Sequence, residues 1–295
     1  MTNIRHILFP IDFSERCAAI QPMVKAMAAR FNAKVTLLHA LQIPATFYPA
    51  METAYVMEFD LDEMRDEAEE KLAEFYGIPR HPLADNLDIV VVTADPARGI
   101  VEYAEGQHAD LIMLPTHGYG KYRGLLLGSI AAKVLHDAKC PVWTAAHTED
   151  PVLLTHSCCQ SMLCAVDLNS GSEELIHKSV ELASAFNAKL RIVHAVPGAE
   201  PAPEPSMRAI PDPDFRHFLL QAAREEVAAL QQRAGTNLEV CLEAGKVSQV
   251  VKLAAEHHQA DLVVIGRGKI NAALGRLRTH AYSIIRDSPC PVMSL

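Results

Sequence analysis

Apolar residues along the chain follow two rhythms. Short runs, "HILFPI" (6–11), "KVTLLHA" (34–40), "LDIVVVT" (87–93), "ADLIMLP" (109–115) and "PVWTA" (141–145), read as strands, the first, continuously apolar, as one buried on both faces. Between them, apolar residues recur at helical spacing in "SERCAAIQPMVKAMAARF" (14–31), "LDEMRDEAEEKLAEFYG" (61–77), "PARGIVEYAEGQH" (96–108) and "SIAAKVLHDA" (129–138). Pro22 predicts a kink or a shifted boundary in the first helix. Gly77 closes the second.

The pattern then repeats. "ILFPIDFS" (7–14) returns as "MLCAVDLN" (162–169), and "FNAKVTLLHA" (31–40) as "FNAKLRIVHA" (186–195). "HADLIMLP" (108–115) returns as "QADLVVIG" (259–266), and "KCPVWTA" (139–145) as "PCPVMSL" (289–295). Conserved order at nearly constant spacing is the mark of a tandem duplication. The 295 residues suit two domains of about 150 residues each, placed at 1–147 and 160–295. In the second, "SGSE" (170–173) fits a capping box before the first helix. Alternating strand and helix predict an α/β fold. Each domain is expected to be doubly wound, a five-stranded parallel sheet of order 3-2-1-4-5 with helices on both faces. The order reverses between strands 1 and 4, and ligands bind at the carboxyl ends of strands flanking such a point.

A net charge of -9 without a long basic run argues against nucleic acid and anionic membrane surfaces as partners. No apolar run reaches the roughly 18 residues that span a bilayer, and "MTNIRHILFPID" lacks a signal pattern. A cytoplasmic location is expected. Seven cysteines, an odd number without a secretion signal, do not suggest a disulfide framework. His156, Cys158, Cys159 and Cys164 carry zinc-type donors, but their spacing fits no standard site, and Cys164 falls in a predicted strand. No metal ligand and no catalytic residue is assigned.

The loops after strands 1 and 4 should meet across the crevice. The first carries Asp12, an acceptor for an amino group or a ribose hydroxyl. The second carries Gly118, then Gly128-Ser129 opening a helix whose free N–H groups suit phosphate. Ser129 is a candidate cap or phosphate ligand. Neither a P-loop motif nor a dinucleotide fingerprint after strand 1 is present.

The order "ILFPIDFS … VTLLHA … DLIMLPTHG … GLLLGSIAAKVLHDAKCPV" resembles the universal stress protein family in its tandem two-domain form, over nearly the whole chain. Nucleotide-binding members of that family carry G-x-x-G, nine residues, then G-[ST] after strand 4. Here the first half reads Pro115-Thr116-His117-Gly118, nine residues, then Gly128-Ser129. The resemblance implies ATP or a related adenine nucleotide, with Mg2+ on its phosphates. Asp12, preceded by Pro10, and the backbone at Ala40 would hold adenine. Leu114, Pro115 and Gly118 would line the ribose and phosphates, and Gly128, Ser129 and Ile130 the phosphate tail. Pro115 departs from the family glycine and removes one N–H. In the second half Asp167 is kept, but Gly266-Arg267-Gly268 falls one residue short and Arg278-Thr279 replaces Gly-[ST]. A degenerate nucleotide site is expected there, unless Arg278 serves an anion.

Three readings stay open. One is a regulatory nucleotide-binding stress protein, expected as a homodimer of tandem chains with further protein partners. Another is a nucleotide-free interaction scaffold. The third is a slow ATP hydrolase, although no convincing general base is visible. His39 and His194 end equivalent strands and read as structural. His117 has no nameable partner. The proline-rich stretch at 197–214 is a stiff loop, either a lid or a solvated connection.

Overall fold

A computed structural model describes residues 4–42, 61–79, 85–116, 127–146, 159–197, 213–267 and 280–295. The chain divides into two compact units, built chiefly on 3–143 and 156–295. The first contains β1 (His6–Pro10), α1 (Glu15–Phe31), β2 (Lys34–Leu41), α2 (Leu61–Tyr76), β3 (Leu87–Thr93), α3 (Pro96–Gly106), β4 (Leu111–Leu114), α4 (Ser129–Asp137) and β5 (Val142–Thr144). Its strand order is β3-β2-β1-β4-β5, and β1 runs parallel to both β2 and β4.

The second contains β6 (Ser161–Ala165), α5 (Ser172–Phe186), β7 (Lys189–Val196), α6 (Pro213–Arg233), β8 (Glu239–Ala244), α7 (Val247–His257), β9 (Leu262–Ile265), α8 (Ala281–Asp287) and β10 (Val292–Ser294). Its order, β8-β7-β6-β9-β10, is the same arrangement. Both units are doubly wound parallel sheets, as the alternating pattern predicts.

Burial explains the central strands. Ile7, Leu8, Phe9, Leu111, Ile112 and Met113 are fully buried in the first unit, and Met162, Leu163, Cys164, Val263 and Val264 in the second. Each such aliphatic or aromatic side chain contributes roughly 1.5–3 kcal/mol. Runs of this kind have no wet face, so they do not alternate with polar residues.

Two repeated motifs have local physical causes. In "FNAK", Asn32 and Asn187 stand at the C-caps of α1 and α5 with φ 50° and 54°. That left-handed conformation favours asparagine among side-chain-bearing residues. In "AD", Asp110 Oδ2 accepts the Arg5 and His6 N–H groups at 2.8 and 3.0 Å. Asp261 Oδ2 does the same for Gln160 and Ser161 at 2.7 and 2.9 Å. Each aspartate thereby ties the start of the fourth strand to the start of the first.

Two local expectations are corrected. Pro22 does not break α1, which runs through it. Pro22 and Ala18 are both exposed, so water can serve the carbonyl that loses its partner. The capping box at 170–173 does not form. α5 begins at Ser172 after Gly171, with no side-chain cap, because Asn169 Oδ1 instead accepts the Gly171 N–H at 3.0 Å.

Candidate functional site

Each crevice grows from the turn after its first strand. Pro10 ends β1 and is buried. Ile11 N–H continues the ladder to Leu38 C=O at 2.8 Å. Phe13 then takes φ 62°, and Asp12 Oδ1 closes the turn by accepting the Ser14 N–H at 3.0 Å. Ser14 is the N-cap of α1, its Oγ accepting from Cys17 N–H at 3.2 Å. Asp12 is half-buried, and a carboxylate has acceptor capacity beyond one N–H. Beneath the turn, Cys17 Sγ donates to Pro10 C=O at 3.5 Å. Burial, with the Asp12 charge second, pushes that thiol well up, so it is a packing group.

The second turn is a close copy. Leu168 takes φ 58°. Asp167 Oδ1 accepts from Asn169 N–H at 3.4 Å and from Ser172 Oγ at 3.2 Å. The equivalent histidines explain how strand 2 meets this loop. His39 Nδ1 donates to Ile11 C=O at 2.7 Å, and His194 Nδ1 to Val166 C=O at 2.8 Å. Both are structural in this arrangement. Ala40, half-buried, follows His39 at the same sheet end.

Across the switch point, Leu114 is the last residue of β4, and Pro115 and Thr116 follow, both buried. Gly118 and His117 lie outside the described residues. Gly128 N–H donates to Thr116 C=O at 2.9 Å, which seats the start of α4 against the end of β4. Gly128, not Ser129, is the N-cap, and no side chain caps the helix. Ser129 is therefore the first helical residue and is exposed, while Ile130 beside it is 42% exposed. The first-turn N–H groups carry the positive end of the helix dipole. These groups fit a phosphate by the chemistry of the donor set. Thr116 is the residue that spacing alone missed, since its contribution is a carbonyl.

In the second repeat the equivalent crevice is an open cavity of about 300 Å3. Asp167 and His194 line it on the side of β6 and β7, Val247 and Val251 from α7, and Gly266 and His280 on the side of β9 and α8. Its volume is at the small end for ligand cavities, and its mix of apolar walls with a few polar groups is usual for them. Gly266 follows β9 where Pro115 follows β4. A Cβ there would lie 3.4 Å from Leu175 Cδ2, an ordinary contact, so space does not demand the glycine. α8 begins only at Ala281, with His280 as an N-cap that makes no side-chain cap bond. Arg278 and Thr279 lie outside the described residues.

Cys164 is fully buried in β6, with its thiol pushed up to about 12 by burial. Among the described residues no group of three or more His, Cys, Asp or Glu is placed to hold a metal. His156 and Cys158 are outside them. Among the described residues no helix is long and apolar enough to cross a membrane.

Comparison with known proteins places this geometry. The model of the universal stress protein family matches residues 3–145 and again 159–294. The chain belongs to the universal stress protein family. A universal stress protein of Thermus aquaticus is 32% identical over 142 residues, covering 46% of this chain and 94% of that protein. One of Mycobacterium tuberculosis is 27% identical over 239 residues, covering 80% of this chain and 77% of that protein. Among solved structures, a Pseudomonas aeruginosa protein described as functionally unknown superposes with TM-score 0.65 at 17% identity, covering 100% of this chain and 93% of its own. A universal stress protein from Archaeoglobus fulgidus gives 0.64 at 20%, covering 98% and 97%. These two likenesses concern the fold. The present universal stress protein thus carries two tandem family domains.

Proposed function

We propose that the first repeat binds ATP or a related adenine nucleotide and that occupancy regulates the protein in a stress response. The observation that carries this reading is the uncapped start of α4, joined to the end of β4 by the Gly128–Thr116 bond. It lies across the switch point from Asp12 and Ala40. Asp12 and the Ala40 backbone would hold adenine, and Ser129 and Ile130 N–H groups the phosphates. Pro10, Leu114, Pro115 and Gly118 would complete the walls. Mg2+ on the phosphates would come with the nucleotide. Regulation requires different affinities for two states of the protein. A cytoplasmic location and a homodimer of tandem chains belong to the same reading.

The second cavity favours an additional reading. Its Asp167 and Ala195 repeat the Asp12 and Ala40 pair of the first repeat, whereas Arg278-Thr279 replaces the glycine-led phosphate end. In this reading the second repeat holds at most the nucleoside part.

The test begins with protein purified without added ligand. Released nucleotide is identified by chromatography and mass spectrometry, and ATP is then titrated with and without Mg2+. One adenine nucleotide per chain, lost in Gly128→Arg, is the expected result. No release and no binding below millimolar ATP would replace this reading with the scaffold. Turnover that disappears in Asp12→Ala and Gly128→Arg would instead establish the hydrolase.

A further inference from the structure

Away from the crevices, the two repeats differ in one cluster of facing residues. Strand register aligns Val90 with Cys241, since Leu38 pairs with Val90 and Val193 with Cys241. It likewise aligns Thr36 with Arg191, which pair with Asp88 and Glu239. Gln107 and His258 are the C-caps of α3 and α7, with φ -99° and -94°. The first repeat therefore places Thr36, Val90 and Gln107 where the second places Arg191, Cys241 and His258. The first set contains no thiol and no imidazole, and its Thr36 Oγ1 instead meets His6 Nε2 at 2.8 Å. In the second, Cys241 Sγ lies 3.0 Å from His258 Nε2. Arg191 is held beside them, its Nε donating to Glu239 Oε2 at 2.9 Å and its Nη1 to Ser161 Oγ at 3.3 Å. Cys241 sits half-buried in β8, the outer strand of its repeat's sheet.

We propose that Cys241 is a modification site, a thiol oxidised by hydroperoxides with His258 as its general base. A nucleophile within hydrogen-bond reach of a base is the arrangement such a reaction needs. The thiol proton passes to His258 Nε2 as sulfur attacks the terminal oxygen of the hydroperoxide. The S–O bond forms while the O–O bond breaks. His258 returns the proton to the departing oxygen, so water or an alcohol leaves. Sulfur has given an electron pair to the peroxide, and Cys241 ends as a sulfenic acid. Arg191 offers positive charge to the departing oxygen before the proton arrives.

The charged surroundings suit a thiol that needs help. Burial, then the Glu239 and Glu243 carboxylates of β8, hold the Cys241 thiol above its ordinary value, against Arg191 and Lys189 of β7. It rests protonated. Burial, then Arg191 and the neighbouring His257, hold His258 below the ordinary imidazole value, against Glu239. Its ring is neutral at pH 7 and free to take a proton. Burial raises the thiols of Cys17, Cys159, Cys164 and Cys290, and among the described residues no imidazole figures in those shifts.

The full chain is exposed to hydrogen peroxide, sulfenic acid is trapped with dimedone, and labelling at each cysteine is followed by mass spectrometry. Cys241 is expected to label first, at least about tenfold faster than in His258→Gln. In the unaltered protein its rate should rise through the imidazole titration and flatten above about pH 7. An unassisted thiol of raised pKa would keep climbing about tenfold per pH unit. Such a continued climb, or labelling of Cys241 no earlier than the other cysteines, would overturn the proposal. The pH profile needs no variant, so misfolding of His258→Gln cannot obscure the result. The outcome is independent of nucleotide binding.

Discussion

Corresponding helices in the two repeats begin differently, although corresponding strands keep their order and register. α1 starts on Ser14, whose Oγ caps Cys17 N–H, whereas α5 starts after Gly171 without a side-chain cap. α3 starts on Asp95, which accepts from Arg98 N–H at 3.1 Å, whereas α7 starts after Lys246 without one. Meanwhile the turns after β1 and β6 keep the same left-handed residue and the same histidine bond. Strands sealed on two faces tolerate little change, since each altered methylene is felt by its neighbours. The starts of α3 and α7 meet water at the exposed Asp95 and Lys246 and can vary at a cost of about 1 kcal/mol.

The largest test of that contrast lies in the cores. Leu8→Ala and Leu163→Ala remove matching, fully buried side chains, and each should destabilise its own repeat by about 3 kcal/mol. Urea unfolding followed by hydrogen exchange of peptides from each repeat measures this. Unequal costs would show that the two cores have drifted apart.

Next comes the phosphate end. Gly128→Arg copies the second repeat's residue into the first. It should weaken ATP binding about 100-fold, the loss of one or two charge-assisted hydrogen bonds. Isothermal titration reads the change, and an undiminished affinity would remove Gly128 from the site.

Smaller effects test the caps. Ser14→Ala should cost about 1 kcal/mol, read as a shift in the urea midpoint. Ser170→Ala should cost nothing measurable, because α5 starts beyond it. The smallest effect is in acid. The Arg98 N–H, then Lys133, holds the Asp95 carboxyl below its ordinary value. A depressed carboxylate stabilises the folded state above its unfolded pKa and stops doing so as pH falls through the folded one. Hydrogen-exchange protection at the start of α3, taken relative to the intrinsic exchange rate, should therefore fall below about pH 4.

Much of the fold was legible because its motifs are local. "FNAK" encodes a helix end, and "AD" encodes a strand junction. Unbroken apolar runs encode buried strands, and their alternation with helices encodes a parallel sheet. The placing of Asp12 after β1 and of Gly128-Ser129 at the start of α4 was legible through spacing, but the N-cap role of Gly128 was not. The bond from Gly128 N–H to the Thr116 carbonyl was equally hidden, since no side-chain pattern reports a carbonyl. The capping box at Ser170 failed for a similar reason, since Asn169 competes for the same turn. The open second cavity was hidden because a volume belongs to no single residue. Cys241 and His258 were hidden because their contact joins a strand to a helix end, which periodicity does not relate.

The twin histidines carry a further consequence. A carbonyl can only accept, so Nδ1 of His39 and of His194 must bear the hydrogen in the bonds to Ile11 and Val166. In the neutral ring that leaves Nε2 bare. The two histidines thus share the less common neutral tautomer, each through the same bond in its own repeat. They form a matched pair of resonances, one per repeat, each reporting whether strand and turn are still joined. A ligand entering one crevice would move one resonance and leave its twin as the internal reference.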